Sequence, residues 1–121
     1  MNLLPNTNKM KFCFVSILML LLVSAGFSQP IGTITSVAPS PTNQNPIPIT
    51  VTFNVKVLEF INSDIVISGG TVQNFSTADS IVFTFDLLTA SDGQYTVDIP
   101  ADVCTDVSLN PNVASTQFSI E

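Results

Sequence analysis

The sequence predicts an all-β domain, a sandwich or a barrel, placed behind an export signal. Three observations carry this. About seven short apolar-alternating runs recur at spacings near ten residues. Pro, Gly, Asn, Ser and Asp separate them, and such punctuation marks closed or double-layered β folds. No window sustains the i, i+3, i+4, i+7 apolar stripe of an amphipathic helix.

Ile31–Val37 supplies the first strand. Ala38–Pro46, with its prolines and amides, reads as a loop between strands. Ile47–Val57 is the clearest element, with every odd position apolar and every even one polar or proline. That is the two-residue period of a half-buried strand. Pro46 and Pro48 confine its start to an edge or entry segment, because proline donates no ladder bond. Val57–Ile61 is expected to form one helical turn crossing between sheets. Ile65–Ile67 and Thr71–Phe75 are expected to form a hairpin through Ser68-Gly69-Gly70, since Gly-Gly supplies positive φ. Ser80–Leu87 turns Ile81, Phe83, Phe85 and Leu87 inward, and Tyr95, Val97 and Ile99 repeat the pattern. Val113–Ile120 supplies the last strand.

The N-terminal segment reads differently. Lys9 and Lys11 precede the apolar run Phe12–Val23, and Ser24–Pro30 provides a small-residue exit. Cleavage after Ser28 divides the chain into a signal peptide, 1–28, and a domain, 29–121. Cleavage after Ala25 and initiation at Met10 are alternatives. The apolar run is shorter than the ~20 residues of a spanning helix, so no membrane span is expected after cleavage; an uncleaved anchor is the other reading. A lipoprotein signal needs a cysteine after the small residues, and Cys13 lies at the opposite end of the run. The protein is therefore expected to be secreted or held at the cell surface, or in the periplasm. It is either a lone module or part of a longer multi-module protein.

Removal of 1–28 leaves Lys56 as the one basic side chain. Against it stand Glu59, Asp64, Asp79, Asp86, Asp92, Asp98, Asp102, Asp106 and Glu121, a balance of one minus nine, or −8. Such a surface repels nucleic acid, whose phosphates need several Lys or Arg contacts, and anionic lipid. The absence of histidine removes Ser-His-Asp and Cys-His catalysis. Structural zinc needs about four Cys or His ligands, and Cys104 is the only such residue in 29–121. No glycine-rich phosphate loop occurs. Lys56 falls on the polar face of its strand, which argues against a Ser–Lys pair. Paired carboxylates serve glycoside hydrolysis, but a small sandwich lacks the length to build a deep cleft around them. No enzyme activity is expected. Cys104 has no intrachain partner once Cys13 is removed with the leader, and is either a buried small apolar residue or an intermolecular bridge.

Calcium is the remaining chemical candidate. Asp106, Asn110 and Asn112 cluster before the last strand, and Asp64 and Asp102 are placed to approach from neighbouring loops. Hard cations take several such oxygens. The competing reading is a turn that uses Asp and Asn for side-chain-to-backbone bonds. Asn74-Phe75-Ser76 spells a glycosylation acceptor within a predicted strand.

The ordered set Pro46–Val57, Phe60–Val72, Asp92–Val97, Ile99-Pro100-Ala101, Thr105-Asp106 and Asn110–Ala114 resembles the bacterial immunoglobulin-like domains repeated in large surface and adhesion proteins. The resemblance implies an immunoglobulin-like Greek-key β-sandwich of about seven strands. It implies a non-enzymatic spacer or adhesion module at the bacterial surface, meeting a protein or glycan partner. It also gives Tyr95 the role of a tyrosine corner, its hydroxyl tied to nearby backbone. Some members of that family carry a calcium-associated Asp-x-x-Gly-Asn loop; here Leu109 replaces the glycine, and Val55 stands where an acid is common. The alternative function is a carbohydrate-binding module or an accessory domain of a secreted enzyme. Sugar sites expose aromatic platforms, whereas most of Phe53, Phe60, Phe75, Phe83, Phe85 and Phe118 fall on core parity.

Overall fold

The computed structural model describes residues 28–121; the apolar run and exit of the predicted leader, through Phe27, lie outside them. Alternating apolar side chains build nine strands among the described residues. These are β1 (Gly32–Ser36), β2 (Ile47–Phe53), β3 (Val57–Leu58), β4 (Val66–Ile67), β5 (Thr71–Thr77), β6 (Val82–Leu88), β7 (Tyr95–Asp98), β8 (Thr105–Asp106) and β9 (Phe118–Ile120). One sheet has the order β1-β2-β6-β5 and another β4-β7-β9, all pairs antiparallel. That is the ABED and CFG division of an immunoglobulin-like sandwich. The short pair β3-β8 raises the count above seven.

The two-residue period decides what each sheet buries. In β2 and β6, Ile49 lies opposite Phe85 and Val51 opposite Phe83, so both strands turn the same parity inward. Val97, Ile99 and Ile120 close the core from the other side. At one end of that core Phe60 meets Phe53 and Phe83 edge-on, with ring centroids 5.1 and 5.0 Å apart. Phe75 stacks on Phe83 at 5.7 Å. These are the separations at which aromatic quadrupoles attract.

Three local expectations are corrected. The helical turn expected at Val57–Ile61 is absent. Val57–Leu58 instead pairs with Thr105–Asp106, and Glu59 adopts φ 66°, which stops a right-handed turn. A 3-10 turn forms later, at Asn62–Asp64, where Asp64 Oδ2 accepts from the Ile61 amide at 2.9 Å. The Gly-Gly hairpin is also absent. β4 pairs with β7 and β5 with β6, so Ser68–Gly70 carries the chain from one sheet to the other. Gly70 has φ 80°, and a Cβ there would collide with the Leu88 carbonyl oxygen, so the glycine serves a crossover. Finally, only Phe118–Ile120 of Val113–Ile120 enters a ladder. Its upstream part is held by isolated contacts: the Val113 amide donates to the Pro30 carbonyl, and Ser115 donates its amide to the Ile99 carbonyl while its Oγ accepts from the Ile99 amide.

The tyrosine corner is present. The Tyr95 hydroxyl donates to the Ser91 carbonyl at 2.7 Å and accepts from the Ser91 amide at 3.2 Å. Near the middle of edge strand β5 the register shifts between Gln73 and Ser76. There Asn74 takes φ 53° and donates to Asp86 at 2.8 Å. Such a bulge blunts an edge against further pairing.

Candidate functional site

Antiparallel registers place the described N-terminus and Glu121 at opposite poles of the sandwich. Gly32 lies opposite Phe53 and Thr52 opposite Val82 at one pole. Ile47 lies opposite Leu87, and Ile120 opposite Tyr95, at the other. The first pole holds the predicted calcium residues. The second holds an open groove.

At the first pole the loop after β8 brings Asp106 and Asn110 together. Asp106 Oδ1 accepts from the Ser108 and Asn110 amides at 2.8 and 2.9 Å, and Oδ2 accepts from Asn110 Nδ2 at 2.9 Å. The Asn110 side chain, then its amide, hold the Asp106 carboxyl below the usual carboxylate range, against the upward push of partial burial. Leu109, at the glycine position of the resembling loop, adopts φ 66° and is 75% exposed. Asn112 faces the other way and is 1% exposed. Its Oδ1 accepts from the Val103 and Cys104 amides, both at 2.9 Å. Its Nδ2 donates to the carbonyls of Pro100 at 2.9 Å and Val113 at 3.1 Å. Asp64 caps its own 3-10 turn. The four residues therefore bind mostly backbone, and among the described residues no three His, Cys, Asp or Glu side chains group to hold a metal ion. Asp102, at φ 63°, bonds Asn112 only through its backbone amide.

Cys104 is 3% exposed beside this network, and burial, with the nearby charge of Asp64, pushes its thiol up to about 11. A thiol so raised is a poor nucleophile at neutral pH. Lys56 is exposed, as expected, but it lies in the link between β2 and β3 and not on a strand face, because β2 ends at Phe53.

At the second pole a groove of about 440 Å³ opens between the β1–β2 loop, the β6–β7 loop and Glu121. Hydrogen bonds fix its walls. Asn45 mimics a strand neighbour, donating to the Thr89 carbonyl and accepting from the Thr89 amide, both at 3.1 Å. The Thr42 amide donates to the Glu121 carbonyl at 2.6 Å. The Glu121 amide donates to Ser40 Oγ at 3.3 Å, and Tyr95 anchors Ser91. Sequence reasoning passed over this site. Its one signal was Asn43-Gln44-Asn45, more amide than a plain turn requires.

Comparison with known proteins gives one result. A family model described as bacterial Ig-like domain matches residues 27–121. No curated protein and no solved structure gives a significant match. With the sheet order and tyrosine corner in place, that match over nearly the whole described chain makes this protein a member of the bacterial Ig-like domain family.

Proposed function

We propose that the protein is an exported, non-catalytic module that serves as a spacer or adhesion domain at the bacterial surface. The family supports a structural or binding module, and its members are generally non-catalytic. The observation that carries the reading is the placement of polar chemistry. Asp64, Asp106 and Asn110 bond within their own turns, and Asn112 bonds the backbone of Pro100, Val103, Cys104 and Val113, so the residues richest in ligand oxygens are spent on the fold. Opposite poles for the two described ends suit a module that transmits tension along its strands. The acidic shell and the leader-like segment support a place outside the cytoplasm.

Expression from the full reading frame in a bacterial host, followed by fractionation and intact-mass analysis, tests the export step. A processed form beginning at Gln29 outside the cytoplasm is expected. Unprocessed protein confined to the cytoplasm would overturn the reading. Turnover of any substrate by the purified protein would overturn its non-catalytic part.

A further inference from the structure

We infer that two copies of this chain join edge to edge through β1, antiparallel about a two-fold axis at Ile34. The inference goes beyond the spacer reading and stands without it. The direction of the backbone groups comes first. The Ile31 amide donates to Asn54 Oδ1 at 2.9 Å, and the Ile31 carbonyl accepts from the Asn54 amide at 3.3 Å, so Ile31 faces β2. Strand backbone alternates, so Thr33 and Thr35 face β2 as well. Gly32, Ile34 and Ser36 turn their N–H and C=O groups to the opposite side. Pro30, on that second parity, shows where they point, since its carbonyl accepts from the Val113 amide at 2.9 Å. Beyond that bond the first and last strands part, and a cleft of about 250 Å³ separates Ile31–Ile34 from Thr116–Phe118. The two walls meet again at the second pole, where Thr42 and Ser40 bond Glu121. Both ends of the described chain lie at the poles, outside the cleft.

The other edges offer less to a partner. β5 carries its bulge and Asn74, β4 has two residues and β9 has three. β1 has five residues, with no charge, proline or bulge. Natural proteins guard such an edge unless another strand covers it. Two observations select a second copy as that cover. The first is charge: all nine acids lie within 59–121, while β1, β2 and the lining of the cleft are uncharged. Two domains of the same −8 side-chain balance therefore meet with least repulsion along β1. The second is register. A two-fold axis at Ile34 sets Gly32 against the partner's Ser36 and Ile31 against the partner's Val37. Ile31 is 40% exposed and Val37 is 90% exposed, and the symmetry covers both in both copies. About six main-chain hydrogen bonds form across the pair.

Sedimentation of the purified protein in reductant tests this. A reversible dimer is expected at high protein concentration, with the Gly32, Ile34 and Ser36 amides protected from hydrogen exchange only in the dimer. Thr33 faces the partner's Thr35 in a non-hydrogen-bonded pair, whose Cα atoms lie ~4.5 Å apart. Mixed Thr33→Cys and Thr35→Cys proteins should therefore cross-link on mild oxidation, and Thr33→Cys alone should not, while Cys104 stays buried. Thr33→Asp with Thr35→Asp, both at exposed positions, should raise the dissociation constant about tenfold by facing like charges. Circular dichroism checks that this variant still folds. A monomer up to millimolar concentration, a dimer whose β1 amides stay unprotected, or equal cross-linking by Thr33→Cys alone would overturn the proposal. So would a dimer that the folded double-aspartate variant leaves intact.

Discussion

Asn112→Ala is the sharpest test of how this fold is held. The side chain is 1% exposed and joins four backbone groups from three separate stretches: Pro100, Val103 with Cys104, and Val113. Truncation removes four hydrogen bonds at once. At about 1 kcal/mol net for each bond, the loss is about 4 kcal/mol. The desolvation cost of stranded amides and carbonyls pushes that figure up, and water reaching the less buried Pro100 carbonyl pulls it down. A domain of this size has roughly 5–15 kcal/mol in total, so the variant should be marginal at room temperature. In urea, with a slope of about 1.2 kcal/mol/M, its midpoint should fall by about 3 M with the slope unchanged. Asn112→Asp should be at least as damaging at neutral pH, because it aims a carboxylate oxygen at two carbonyls, and it should recover partly in acid as a proton restores one donor. An Asn112→Ala midpoint within about 0.5 M of the parent would refute the reasoning, since it would mean that the network contributes little.

Three further outcomes are expected. The hydrogen bonds that lower the Asp106 pKa contribute stability that is present above the ordinary carboxylate value of 3.8 and is lost as pH falls through the lower folded value. Acid titration of stability should therefore be shallower below pH ~4 in Asp106→Asn than in the parent; identical profiles would remove Asp106 from the account. Cys104 should resist thiol reagents in the native protein and label promptly in urea, with site occupancy read by peptide mass spectrometry, because burial withholds both access and thiolate. Rapid native labelling at Cys104, or a dimer dispersed by reductant, would favour the intermolecular bridge. Millimolar calcium should leave the melting temperature where chelator leaves it, because both Asp106 oxygens already accept N–H donors and the Asn112 oxygen faces inward. An upward shift that Asp106→Asn abolishes would restore the loop as a cation site.

The residues that misled are as instructive as those that did not. Gly69-Gly70 has the chemistry of a hairpin turn, and Gly70, though not Gly69, takes a positive φ. Which strands it joins depends on the partners that bury Val97 and Leu87, and those lie tens of residues away in sequence. Val57 and Phe60 are spaced for one helical turn and both are buried, yet Thr105–Asp106 offers Val57–Leu58 a ladder partner that no local rule sees. Asp106, Asn110 and Asn112 look alike as oxygen donors in sequence. Only the fold separates Asn112, turned into the interior at 1% exposure, from Asp106 at the end of β8, 9% exposed and bonded to the loop that follows it, and from half-buried Asn110 within that loop.

The sequence by itself determined the all-β class, the inward parity of β2, β6 and β7 and the acidic shell. Each follows from a two-residue period, a short-range motif or a sum of charges. Tertiary structure alone decided strand partnership, the direction in which Asn112 points and the existence of the polar groove. Those depend on segments far apart in the chain closing on one another, and their cost and gain are settled only when the core is packed.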